Sequence, residues 1–215
     1  MDDATAAAPD LARTFVASAL VLFAGLALLL MATEGGNAFT TETLRRAAVE
    51  RQPRPVPDFI VLDDSGRAQS LRGLIAHGER IWIVDFMYTR CRTVCTALGS
   101  VYQQLQRSIV ERGLQGRVGL LSISFDPQHD DAAALRDYAR RLRLDPSAWR
   151  AVSLASPADR RELLDAFGIL VIPAEAGEFE HNAALHLVDA RARLVRIVDD
   201  ADPAAALDAA LAAAP

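Results

Sequence analysis

Lysine is missing from this chain of 215 residues; all 23 basic side chains are arginine. That absence excludes Schiff-base chemistry and the phosphate-binding lysine of P-loop proteins, both of which require a lysine amine. Basic clusters are also missing, and a net charge of −5 argues against a nucleic-acid partner, because binding phosphate needs a basic face. No internal repeat is present. Cysteine is scarce: the only two, Cys91 and Cys95, stand four positions apart. What is abundant is apolar, with 51% hydrophobic and 24% charged residues, a globular composition and not a disordered one. The length suits one domain with a substantial core plus an extension.

The extension is N-terminal. From Thr14 to Thr33 twenty residues pass without a charge, which at helical rise matches a hydrocarbon layer of roughly 30 Å. A cleaved signal peptide and a buried helix are the alternatives. The run exceeds the usual signal core of ~7–15 residues, and Leu30-Met31-Ala32-Thr33 offers no small-x-small cleavage site. The reading is a transmembrane anchor over residues 14–33, after a short tail of residues 1–13. Orientation is less direct. Arg13 precedes the span beside Asp2, Asp3 and Asp10, whereas Arg45, Arg46 and Arg51 follow it, so a literal positive-inside count keeps the rest of the chain in the cytoplasm. Residues 34–56 read as a helical segment, Thr40 to Glu50, followed by a stiff, extended linker from Arg51 to Pro57. Residues 57–215 then form the soluble domain.

In that domain Phe59 to Leu62 and Ala68 to Ser70 flank the turn cluster Asp63-Asp64-Ser65-Gly66 and predict a hairpin. Strand Ile81 to Phe86, helix Ala97 to Glu111, strand Val118 to Ser124, helix Asp131 to Leu142, strand Ala151 to Leu154 and helix Pro157 to Phe167 follow. Strands Ala184 to Val188 and Leu194 to Val198 and an Ala-rich helix from Pro203 complete the chain. The alternation predicts an α/β sheet covered on both faces.

The cysteines lie in Tyr88-Thr89-Arg90-Cys91-Arg92-Thr93-Val94-Cys95, between the first buried strand and its helix. A helix N-terminus with arginines beside it favours thiolate over thiol. Thiol-disulfide oxidoreductases typically have two residues between their cysteines; here there are three. An i,i+4 pair in a helix has Cα atoms about 6 Å apart, near the upper end of the disulfide range, and leaves room for an ion between the sulfurs. Two sulfurs make a poor protein metal site, so a third ligand is sought among four histidines. His181, at the entry to the Ala184 to Val188 strand, is the best candidate. His186 reads as a packing residue, and His77 and His129 as solvated turn residues. Asp126 and Asp130 read first as turn and cap residues before a helix, with Asp126 also placed to orient the site.

Four motifs in order give the chain a resemblance to the SCO/SenC family of copper-binding proteins. Tyr88 to Cys95 is similar to Tyr-Thr-x-Cys-x-x-x-Cys. Ser124-Phe125-Asp126-Pro127-Gln128-His129-Asp130-Asp131, with Leu135 and Tyr138, is similar to Ser-x-Asp-Pro-x-x-Asp and its following Leu-x-x-Tyr. Ala166-Phe167-Gly168 resembles the Phe-Gly step before an extra hairpin, and His181 to Asp189 resembles His-Ser-x-x-x-aromatic-Leu-hydrophobic-Asp. Arg92, Thr93 and Thr96 stand where the family usually has Pro, an acidic residue and Pro, and Asn182 where it has Ser. The surface a partner meets is thereby more basic.

The resemblance implies a thioredoxin-like central sheet flanked by helices, preceded by one transmembrane helix. It implies Cys91, Cys95 and His181 as ligands of one copper ion, Cu(I) or Cu(II), and soft-ligand logic agrees, although the same set with an open position also suits zinc. The implied function is that of a copper metallochaperone serving the copper-bearing subunit of cytochrome c oxidase, with another copper chaperone or a thiol reductase as further partners. The implied location is a bacterial-type inner membrane, with the domain on the periplasmic side. The alternative is an anchored thiol-disulfide oxidoreductase with Cys91 as nucleophile and Cys95 as resolving thiol. Peroxiredoxin chemistry ranks below both, because the Pro-x-x-x-Thr-x-x-Cys frame is absent.

Overall fold

The computed structural model describes residues 11–33, 40–91, 94–174, 179–182, 184–199 and 202–214, without the side chains of residues 41, 94–97 and 180. The chain divides into two units, Met1–Ala48 and Val49–Pro215.

The first unit is helical. Helix α1, Leu11–Ala32, has 22 residues and no buried side chain. Among the described residues it is the one helix long and apolar enough to cross a membrane. Helix α2, Thr41–Arg51, begins in this unit. Thr40 accepts a hydrogen bond from the Thr43 N–H at 3.1 Å and so supplies an N-terminal cap. Glu42 pairs with Arg45 and Arg46 along the helix, at 2.8 and 2.9 Å.

The second unit starts in the last turn of α2, where Val49 joins the hydrophobic core and Glu50 pairs with Arg196 at 2.6 Å. Its main sheet contains β1 (Arg54–Pro55), β2 (Ile60–Asp63), β3 (Ala68–Ser70), β4 (Ile81–Met87), β5 (Val118–Ser124), β6 (Trp149–Leu154), β9 (Leu185–Val188) and β10 (Arg193–Val198), in the spatial order β1-β10-β9-β4-β5-β6-β2-β3. Strands β4, β5 and β6 are parallel neighbours, and β9 runs antiparallel to β4. A separate ribbon pairs β7 (Val171–Pro173) with β8 (Phe179–His181). The helices are α3 (Leu71–Ala76), α4 (Val94–Glu111), α5 (Ala132–Leu142), α6 (Arg160–Phe167) and α7 (Pro203–Ala213).

All seven residues of β4 and of β5 are buried, the mark of central strands covered on both faces. Helix α4 packs through Leu98, Tyr102, Leu105 and Ile109, spaced at one helical face. Asp131 caps α5 and Asp202 caps α7 through their side chains. At Gly119 in β5 a Cβ would meet the Trp82 ring at 2.8 Å, so only glycine lets that indole lie across the strand. Gly168 ends α6 at φ 64°, a left-handed conformation that glycine adopts without strain.

Helix α3 has no counterpart among the predicted elements, and two further segments of this unit differ from the sequence reading. The stretch from Arg51 to Pro57, read as a linker, is docked: Arg54 and Pro55 pair with Leu194 and Arg193, and Val56 is buried. Proline is tolerated there because β1 is an edge strand. His181 does not open the strand leading to Val188. It ends β8, in the ribbon that follows Gly168.

Candidate metal centre

The cysteine loop leaves the C-terminal end of β4. Tyr88 is buried, and the Cys91 N–H closes a turn by donating to the Tyr88 carbonyl at 3.1 Å. Cys91 is half-buried against the core. Helix α4 starts at Val94, three residues earlier than the sequence predicts, which puts Cys95 in its first turn. N–H groups there lack intrahelical partners and favour a thiolate, and no acidic residue lies in that turn to oppose them. Arg92 and Thr93 lie outside the described residues, as do the side chains of Cys95 and Thr96.

Two buried aspartates hold the loop. Asp130 accepts from the Thr89 N–H at 2.9 Å, from the Thr89 hydroxyl at 2.6 Å and from the Ser124 hydroxyl. Asp126 takes the Arg90 guanidinium at 3.0 Å and His129 Nδ1 at 2.9 Å. Arg141 donates to the Thr89 carbonyl at 3.1 Å. The cap of α5 is Asp131, so Asp130 is a tether and not a cap, while Asp126 combines its turn with the pairs to Arg90 and His129. His129 is the exposed turn residue that the sequence predicts, and its ring also pairs with Asp126. Arg90 is already paired with a carboxylate, which reduces the positive charge it lends to the sulfurs.

The ribbon carrying His181 is joined to the same end of the sheet. The Tyr88 hydroxyl donates to the Phe179 carbonyl at 3.2 Å and accepts from the Phe179 N–H at 3.1 Å. Tyr88, Phe125 and Phe179 pack with ring centroids between 5.3 and 5.8 Å, and Phe125 meets the His181 ring edge-on at 5.5 Å. The Arg160 guanidinium stacks over Phe179 at 4.5 Å. Asn182 stitches the ribbon to its entry, accepting from the Leu170 N–H at 2.7 Å and donating to the Gly168 carbonyl at 3.2 Å.

His181 Nδ1 lies 3.2 Å from the Asn182 carbonyl. A carbonyl only accepts, so Nδ1 carries the proton and Nε2 the lone pair. That Nε2 is buried and has no hydrogen-bond partner among the described residues. A buried lone pair without a donor is unfavourable unless something else takes it up, and this tautomer is the one a metal-binding imidazole needs. Among the described residues no group of three His, Cys, Asp or Glu side chains surrounds one point. Of the other histidines, His186 is fully buried in β9 with rings Phe86 and Phe167 edge-on at 5.6 and 5.4 Å, and His77 is exposed at the end of α3.

Sequence reasoning passed over Asp85, in the middle of β4. Burial pushes its carboxyl up to about 7, against hydrogen bonds from Ser122 and Tyr102. A charged residue inside a strand otherwise made of Ile, Trp, Val, Phe and Met is the signal that points to it.

Known proteins resemble this chain in sequence and in fold. The family model described as SCO1/SenC matches residues 49–214. The SCO1 protein homolog of Bacillus subtilis (strain 168) is 28% identical over 136 residues, 62% of this chain and 67% of its own. The structure of Bradyrhizobium japonicum ScoI with copper bound superposes with a TM-score of 0.59 at 22% identity, covering 73% of this chain and 99% of that one. BsSco, a member of the Sco family of cytochrome c oxidase assembly proteins in which a disulfide switch was identified, superposes with a TM-score of 0.63 at 21% identity, covering 75% and 94%.

Proposed function

Because this chain belongs to the SCO1/SenC family, we propose that it is a copper metallochaperone, binding one copper ion through Cys91, Cys95 and His181 and passing it to the copper-bearing subunit of cytochrome c oxidase. The observation that carries this reading is the buried His181 Nε2, proton-free and without a hydrogen-bond partner among the described residues. Two thiolates and one imidazole suit Cu(I) in three-coordinate form, and Cu(II) with one more ligand. The Tyr88 to Phe179 hydrogen bonds and the Asp130 tether support it, because they hold the thiol loop and the histidine ribbon at one end of the sheet. Copper is the cargo, so the ligands must release it, and a loop and a ribbon separate more readily than core strands. Helix α1 crosses the inner membrane once, and the sheet unit works on the periplasmic side.

The test is copper stoichiometry and affinity of the reduced full chain, beside the His181→Ala variant. Tight binding of one copper by the parent, lost in the variant while both thiols keep their reactivity, is the expected result. No copper bound by the reduced parent would sink the proposal.

A second reading is favoured by the place of Cys95 in the first turn of α4. In it the Cys91 thiolate attacks a disulfide of the partner, and Cys95 resolves the mixed disulfide. The partner's two thiols are released reduced, and a Cys91–Cys95 disulfide is left for a thiol reductase to reopen. This activity survives His181→Ala, which separates it from copper binding.

A further inference from the structure

A cavity of about 500 Å³ opens between the β2–β3 hairpin, the C-terminal end of α5 and strand β6. It lies away from the cysteine loop, which follows the C-terminal end of β4, whereas this cavity includes the loop after α5 that leads into the start of β6. Its floor is apolar and includes Leu74, Leu144, Trp149 and Val152; Leu74, Trp149 and Val152 are buried.

Four arginines line it, Arg67, Arg140, Arg143 and Arg150, against two acidic residues, Asp63 and Asp64. Arg67 acts on the Asp63 carboxylate by its charge, and the remaining charges do not cancel in pairs. The Asp63 carboxylate is turned into its own loop, accepting from the Ser65 N–H at 2.9 Å, the Ser65 hydroxyl at 2.6 Å and the Arg67 N–H at 2.9 Å. Arg140 is held by Asp137. No ion pair engages the guanidinium groups of Arg67, Arg143 or Arg150 among the described residues. Arg150 also bears on a second guanidinium: Arg80 is depressed by its own burial and then by the charge of Arg150. Arg143 stands at φ 56°, a left-handed position where glycine is less strained, so backbone geometry does not account for an arginine there.

A cavity of this size that joins an apolar floor to a set of charged groups has the character of a small-molecule site. Guanidinium groups recognise carboxylate, sulfonate and phosphate oxygens through paired, charge-assisted hydrogen bonds. We propose that this cavity binds a small amphipathic organic anion, its acidic group on Arg143 and Arg150 and its aromatic or short alkyl body against Trp149 and Leu144. The site is independent of the copper ligands.

The experiment is calorimetric titration of the full chain in phosphatidylcholine nanodiscs, with empty nanodiscs titrated as the blank. The probes are 2-naphthalenesulfonate, neutral 2-naphthol and inorganic phosphate. Saturable one-to-one binding of the sulfonate is expected, at least tenfold tighter than either of the other two. The double variant Arg143→Gln, Arg150→Gln should weaken it at least tenfold without changing copper uptake by the reduced protein, which also reports that the variant is folded. Arg67→Gln alone should weaken it by a smaller factor. No saturable heat from the parent chain, or equal affinity in the double variant, overturns the proposal. So does phosphate binding as tightly as the sulfonate, since the apolar floor would then contribute nothing.

Discussion

At the scale of single residues, the site depends on side chains whose hydrogen bonds leave them one available role. His181 is the clearest: the Asn182 carbonyl accepts a hydrogen bond from its Nδ1–H, which leaves the lone pair on a buried nitrogen. Asn182 itself, which stands where the resembling family has serine, is explained by its two bonds across the ribbon's entry, to Leu170 and Gly168. Asp85 follows a different logic. Its carboxyl titrates near 7 in the fold and at its ordinary value of 3.8 unfolded. Below about pH 4 both states hold the proton and stability is indifferent to pH. Between 4 and 7 the folded state alone keeps it, so stability falls as pH rises, by roughly 4 kcal/mol in all. Above 7 the loss is complete. Thermal unfolding of the full chain in detergent, followed by tryptophan fluorescence at pH 5 and pH 8, should show this contribution as the difference between the parent and Asp85→Asn. The variant loses the downward slope, and an identical pH profile for the two chains would mean that Asp85 titrates normally.

At the scale of elements, the β7–β8 ribbon and the start of α4 are the parts the sequence described least well. Four-residue β9 and seven-residue β4 are nearly continuous apolar runs, legible from their pattern alone. Strands β7 and β8 have three residues each, and Val171 is partly buried while Ile172 and Pro173 are exposed, so periodicity has little to register. Their position comes from a contact 91 residues apart in sequence, the paired hydrogen bonds of Tyr88 with Phe179. Tyr88→Phe removes both bonds and keeps the ring packing. It should cost about 1–3 kcal/mol, because the Phe179 N–H and carbonyl lose a buried partner. It should also weaken copper binding without altering the reactivity of the thiols. Denaturant unfolding and copper titration of the variant measure the two effects; unchanged values in both would show that the ribbon is held by packing alone. The start of α4 was placed late because Val94 and Thr96 are not strong helix formers, whereas the structure extends the helix through them.

At the scale of the whole molecule, two units with different surroundings share one chain. Helix α1 presents Phe15, Leu22 and Phe23 outward, as a helix bathed in lipid does, while the sheet unit buries its large side chains in one core. The charge count around α1 and the proposed periplasmic function point to opposite sides of the membrane. Alkaline phosphatase fused after Pro215 decides between them: activity in intact cells is expected, and an inactive fusion would place the sheet unit in the cytoplasm. The main alternation of strands and helices, the buried central strands, the apolar helix and the Cys91–Cys95 spacing were determined by the sequence itself, because each is a local pattern with the period of one element or one turn. Tertiary structure alone decided that Arg54 and Pro55 form an edge strand, that Asp126 and Asp130 hold the cysteine loop, and that His181 carries its lone pair on a buried nitrogen. The first two depend on hydrogen bonds between distant segments, and the third on the burial of a nitrogen whose tautomer the neighbouring Asn182 carbonyl selects; none leaves a periodic trace in the chain.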